Sequence, residues 1–125
     1  MSLDAPGGPA RLGPLETQVM EVVWEQAPPT VREVISALPH EPAYTTIATV
    51  LHNLERKQMV RPVKDGRATR YAPTRTREEH AAGVMQHALA SSPDRSTSIL
   101  HFVDSMPDED LSLLREHLQR SRDRR

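Results

Sequence analysis

Cysteine is missing from these 125 residues, which removes disulfides, thiolate zinc sites, iron–sulfur clusters and a cysteine nucleophile together. No apolar run is long enough to span a bilayer, and the leading MSLDAPGGPA lacks the charged-then-apolar order of a signal peptide. The chain is therefore read as cytoplasmic, with no membrane insertion and with residues 1–10 as a flexible leader. Glycine is scarce at five residues, and none of them builds a phosphate-cradling loop. The six His stand at 40, 52, 80, 87, 101 and 117, and no two have the i,i+4 spacing that puts paired ligands on adjacent turns. No metal and no other cofactor is expected. Ser98, His101 and Asp104 recur at three-residue intervals, but neighbouring turns of one exposed helix supply neither a buried orienting carboxylate nor an oxyanion hole. An enzyme is not expected.

Net charge is also nearly absent, −1, but it is unevenly spread. From 44 to 77 eight Lys/Arg face two acids, a local +6; from 78 to 118 eight acids face two Arg, a local −6. Clustered cations of the first kind form the footprint of a phosphate-binding surface. A solvated acidic half explains the second block, and so does an attraction between the two halves.

What is present is concentrated in residues 43–75. On a 3.6-residue period Ile47, Val50, Leu51 and Leu54 make one apolar stripe of a helix over 43–57. Thr45, Thr49, His52 and Arg56 fall on the opposite side, with Ala48 and Asn53 flanking them. Exposed helix faces are usually filled with Glu and Lys. This face offers short donors and acceptors instead, which suits close approach to base edges and thymine methyls in a major groove. An ordinary surface helix of low charge is the competing reading. Behind the helix, Met59 to Val63 reads as a strand, Lys64-Asp65-Gly66-Arg67 as a turn and Ala68 to Ala72 as the returning strand, because Asp-Gly between extended runs is a strong hairpin signal. Lys64, Arg67 and Arg70 lie at or near its basic tip and, with His52 and Arg56 of the helix, are candidates for DNA contact.

Two helices precede this unit. Leu15 to Glu25 carries Leu15, Val19, Met20, Val22 and Val23 and ends at Pro28-Pro29. Thr30 then stands where an N-cap belongs, with Glu33 at the capping-box spacing, and Val31, Val34, Ile35 and Leu38 form the next apolar face. Helix, short helix, turn, longer helix and hairpin is the order of a winged helix-turn-helix, whose third helix enters the major groove. The fold class is accordingly mainly α with a small β-hairpin: a winged helix-turn-helix DNA-binding domain over 11–75, followed by a three-helix dimerisation region over 76–121 and a frayed tail, 122–125.

In that second region Glu78 to Ala90 carries Ala81, Val84, Met85, Ala88 and Leu89 on one side. Asp94 caps a helix with Ile99, Leu100, Phe102, Val103 and Met106, and Pro107 with the acids 108–110 opens a third bearing Leu111, Leu114 and Leu118, with Leu113 beside them. Roughly 45 residues in three short helices bury too little apolar surface to stand alone. Packing against a second copy supplies the missing burial; folding back on the N-terminal core is the alternative.

LGPLETQVMEVVWE, TVREVISAL, YTTIATVLHNLERKQMV, DGRATRYAP and ILHFVD, in this order, resemble the penicillinase-repressor family, the BlaI/MecI group of bacterial winged-helix repressors, over about residues 12–119. The resemblance implies a homodimer on palindromic double-stranded operator DNA. It implies base contacts from Thr45, Thr46, Ala48, Thr49 and Asn53 and phosphate contacts from Arg56 and Arg67. Ala48 departs from a longer polar residue, and Asn53 from a frequent Arg, in the family pattern. Trp24 and Tyr71 are read as packing residues. The family is also released by proteolysis through a membrane sensor that detects a β-lactam, in a segment resembling Leu100-His101-Phe102-Val103, where His101 replaces a more usual Asn. The related copper-sensing branch uses C-terminal cysteines, which this chain lacks. A reading of another class is a winged-helix protein-interaction module without sequence-specific DNA binding.

Overall fold

The computed structural model describes residues 11–26 and 28–124, so the leader expected over 1–10 lies outside the described residues. Each element begins where the local chemistry provides for it. α1 (Pro14–Glu25) opens with proline at its first position, where no N–H is needed, and the Gly13 N–H donates to Glu16 Oε1 at 2.9 Å. α2 (Val31–Ala37) opens on a reciprocal capping box: Glu33 N–H donates to Thr30 Oγ1 and Thr30 N–H to Glu33 Oε1.

α3 (Tyr44–Arg56) ends in a Schellman arrangement that aims the chain into the hairpin. Met59 N–H donates to the Leu54 carbonyl at 2.8 Å and Gln58 N–H to the Glu55 carbonyl at 2.9 Å, with Gln58 in the left-handed region at φ 62°. Met59 and Leu54 are both buried, the apolar contact that accompanies this motif. A side chain at positive φ is strained, and glycine is not. Gln58→Gly is expected to raise stability by about 0.5–1 kcal/mol in urea unfolding, with the slope of the transition unchanged.

β1 (Val60–Asp65) and β2 (Ala68–Pro73) pair antiparallel from Val60↔Pro73 to Asp65↔Ala68. The four-residue turn expected over Lys64–Arg67 is therefore only two residues long. Lys64 and Asp65 complete β1, and Gly66, at φ 63°, takes the first of the two loop positions with Arg67 as the second. A two-residue loop matches the twist of the flanking strands, which is why pairing continues to the tip. An isolated bridge between Thr30 and Arg70, with Tyr71 N–H donating to the Pro29 carbonyl at 2.9 Å, ties β2 to the entry of α2.

The core forms where α1, α2, α3 and the hairpin meet. Val19, Met20, Val23, Val34, Ile47, Leu51 and Leu54 are fully buried, and Val31, Leu38, Met59, Val60 and Ala72 nearly so. Val50 of the expected stripe is only half-buried, at the edge of that cluster.

The chain divides into two compact units between Val84 and Met85, inside α4 (Arg77–Ala90), rather than at the change of composition near 75. The reason lies in the first turns of α4. Arg77 pairs with Glu21 and Glu25 of α1 and stacks 5.6 Å over Trp24, whose Nε1 donates to the Arg75 carbonyl at 3.0 Å. His80 lies 5.7 Å from the same ring. Trp24 thus packs inside the first unit.

The second unit holds the end of α4, α5 (Arg95–Asp104) and α6 (Asp108–Asp123). Asp94 caps α5 through Thr97 N–H at 3.1 Å. α6 carries Asp108, Glu109 and Asp110 in its first turn and Arg120 and Arg122 in its last, matching its dipole. It runs to Asp123, so Arg122 and Asp123 are helical rather than part of a frayed tail. No side chain of α4, α5 or α6 is fully buried. Among the described residues no helix is long and apolar enough to cross a membrane.

Candidate nucleic-acid interface

Burying Ile47, Leu51 and Leu54 fixes the rotation of α3, and that rotation turns Thr45, Thr46, Thr49, His52 and Arg56 outward. All five are exposed; Ala48 and Asn53, on the flanks, are half-buried. Asn53 Oδ1 accepts from Arg56 Nη2 at 3.2 Å, so these two polar ends are already aligned with each other. Glu55, the one acid of α3, lies on the flank, where its charge helps to raise the Tyr71 phenol; burial of that phenol is the larger cause. Nothing acidic stands among the five outward residues. Ala43 gives α3 no side-chain cap, and no acid occupies its first turn, which leaves the positive end of the helix open to an anion.

The basic block separates into two groups. Lys57 Nζ pairs with Glu16 at 3.0 Å, Arg70 with Glu33 and Asp65, and Arg77 with Glu21 and Glu25. Those three cations are engaged within the domain. Among the described residues Arg56, Arg61, Lys64, Arg67 and Arg75 form no ion pair. Lys64 donates to Thr69 Oγ1 at 3.0 Å across the hairpin, which steadies its stem. Arg67 projects from the two-residue turn, exposed.

Sequence position puts Arg70 with the hairpin tip among the candidates for DNA contact, and its geometry is different. It is half-buried, with Nε donating to Asp65 Oδ2 at 2.8 Å and Nη1 to both Glu33 Oε1 at 2.8 Å and the Pro28 carbonyl at 2.9 Å. The Asp65 bond, then Glu33, raise the Arg70 pKa further above its ordinary value. The Thr30 backbone N–H, assisted by Arg70, holds the Glu33 carboxyl below the usual carboxylate range.

One polar feature near α3 leaves no trace in the spacing. Tyr44, half-exposed at the first position of α3, carries the Arg32 guanidinium of α2 at 5.4 Å over its ring. Arg61 stands exposed on β1, on the wing rather than at its tip. A pairing of cation and ring on different helices leaves no periodic trace, so only the fold reveals it. Among the described residues no cluster of three or more His, Asp and Glu could hold a metal ion.

In the second region the apolar residues sort into two sets. Leu89, Val103, Met106 and Leu111 are half-buried. Val84, Met85, Ile99, Leu100, Phe102, Leu114 and Leu118 stand between 37% and 63% exposed, and Leu113 joins them at 62%. Single exposed apolar side chains are ordinary, but this many on three successive helices are not. His101 and Phe102 are exposed within α5, and both of their carbonyls accept from Ser105 N–H.

The chain matches the family model described as penicillinase repressor over residues 12–120. It is 42% identical over 114 residues to the transcriptional regulator BlaI of Mycobacterium tuberculosis (strain CDC 1551 / Oshkosh), covering 86% of this chain and 83% of that protein. Among solved structures it resembles the DNA-binding domain of the repressor BlaI, determined in solution, with a TM-score of 0.50 and 28% identity, over 55% of this chain and 87% of that one. A MarR family protein from Bacillus stearothermophilus shares the fold over 92% of this chain and 76% of its own length, with a TM-score of 0.51 at 17% identity.

Proposed function

Because this chain belongs to the penicillinase repressor family, we propose that it represses transcription as a homodimer, each copy laying α3 in the major groove of one operator half-site and resting its wing on the phosphates. The observation that carries this reading is the outward face of α3: five exposed polar side chains, three of them threonines, with no acid among them, on a helix whose rotation the core dictates. Thr45, Thr46, Ala48, Thr49, His52 and Asn53 are the candidates for base edges. Arg56, Lys64 and Arg67 are the candidates for phosphate. The exposed apolar residues of α4, α5 and α6 support pairing with a second copy, since mutual burial removes them from water at roughly 25 cal/mol per Å². Footprinting across the upstream region of its own gene tests the reading. A protected palindrome supports it; uniform, salt-sensitive protection without a preferred site favours a non-specific binder, and no protection at all favours a protein-interaction module.

Arg67 supplies charge and no base recognition in this scheme. Arg67→Ala is expected to weaken operator and scrambled DNA alike and to flatten the log–log salt slope by about one unit per half-site. Fluorescence anisotropy at several salt concentrations reads both quantities.

Release follows from the same architecture. Cleavage between His101 and Phe102, which the membrane-sensor pathway of the family would direct, removes α6 and the end of α5 with Phe102, Leu113, Leu114 and Leu118. The tether between two half-site readers goes with them, while α3 and the wing stay intact. Mass spectrometry of the protein from β-lactam-treated cells should find a fragment ending at His101; an intact chain in derepressed cells rules this route out.

A further inference from the structure

We propose that Arg70 does not bind DNA but clamps the wing onto the entry of α2, and that this clamp determines whether Arg67 reaches a phosphate. The inference rests on the DNA-binding reading above for its second half only. Its first half is geometric. One guanidinium joins three separate pieces of chain: the Asp65 carboxylate at the end of β1, the Glu33 carboxylate in the first turn of α2 and the Pro28 carbonyl before it, at 2.8, 2.8 and 2.9 Å. Asp65 stands opposite Ala68, so Arg70 meets it diagonally, two residues along the same face of β2. The bridge from Arg70 to Thr30 and the bond from Tyr71 N–H to the Pro29 carbonyl lie in the same place.

Glu33 Oε1 serves two partners there, accepting the Thr30 N–H at 2.9 Å and Arg70 Nη1. The residue that starts α2 is therefore also the residue that fixes the wing. An isolated two-stranded hairpin is barely stable in water, and this one has solvent around its tip. Exposed ion pairs contribute little to stability, so what the clamp supplies is direction. With Nε held by β1 and Nη1 by α2, the hairpin cannot swing about its base. Its tip, Gly66-Arg67, keeps one position relative to α2 and hence to α3, which packs on α2 in the same core. Lysine cannot reproduce this: it is a single point charge where a planar fork is required.

The test uses that difference. Arg70→Lys keeps the charge and discards the fork. If Arg70 itself bound a phosphate, lysine would replace it and the salt slope would hold at the wild-type value. With Arg70 as a clamp, Arg70→Lys flattens the slope of the full-length protein by about one unit per half-site, as Arg67→Ala does, and the double variant flattens it no further. A slope that holds in Arg70→Lys, or that falls additively in the double variant, overturns the proposal. The clamp is also read without DNA: amide exchange at Tyr71 in the free protein should accelerate in Arg70→Lys while amides of α3 keep their protection. Unchanged exchange at Tyr71 overturns it as well. Should the wild-type protein bind no DNA, the exchange measurement still judges the clamp, and the failure belongs to the proposed function.

Discussion

Thr49→Glu will remove the ability of the protein to tell its operator from scrambled DNA while leaving its fold untouched. Thr49 is exposed near the middle of the outward face of α3, between Thr45 and Arg56, on the side away from the buried Ile47, Leu51 and Leu54. A carboxylate there adds a negative charge where none of the outward residues has one, and it aims that charge at base edges that present mainly acceptors. Losing a well-placed base contact costs roughly 1–3 kcal/mol. Two half-sites double it to roughly 2–6 kcal/mol, which is about 30-fold to 10⁴-fold in operator affinity. Scrambled DNA loses only the effect of one added charge per copy. Anisotropy titrations with both duplexes, alongside circular dichroism of the variant, measure the difference. Equal losses on the two duplexes would mean that this face does not read sequence.

Removing residues 94–125 will leave a folded DNA-binding unit that no longer occupies an operator at nanomolar concentration. Every side chain of the hydrophobic core lies between Val19 and Ala72, and the attachment of α4 to α1 through Trp24, Arg77 and His80 survives the cut. What is lost is α5 and α6, with Ile99, Leu100, Phe102, Leu113, Leu114 and Leu118. In a single copy those side chains stand in water, and the proposed pairing of two copies would bury them. Untethered, the second half-site must be filled from solution, and overall affinity falls by about 10²- to 10⁴-fold. Sedimentation should show the full chain as a dimer and the truncated one as a monomer. A full-length monomer, or a truncated protein with undiminished operator affinity, refutes the dimer.

Much of the DNA-binding unit was legible because its determinants are close in sequence. The Thr30–Glu33 capping box is three residues long, the stripe of α3 repeats on one helical period, and Asp65-Gly66 marks the reversal of the chain. What the sequence did not announce has the same origin. Whether strand pairing runs on to Asp65 and Ala68 depends on twist at the tip, which no single residue announces. The division of the chain inside α4 depends on Trp24, Arg77 and His80 meeting, and they are more than fifty residues apart at the Trp24–Arg75 bond and the Glu21–Arg77 pair.

Arg70 shows the limit most clearly. In the sequence it is one more cation beside a basic turn; in the fold it is engaged by Glu33, 37 residues away, and by the Pro28 carbonyl, 42 residues away. The order of the residues determined the helices, their caps, the hairpin and the chemistry of the face that α3 turns outward, because periodicity, capping and turn conformation act over a few residues. Which cations remain for a partner, which aromatic ring packs, and which apolar side chains are left in water were decided only by tertiary structure. An ion pair or a buried contact exists when two side chains arrive at the same point, and that arrival is a property of the packed core rather than of either segment.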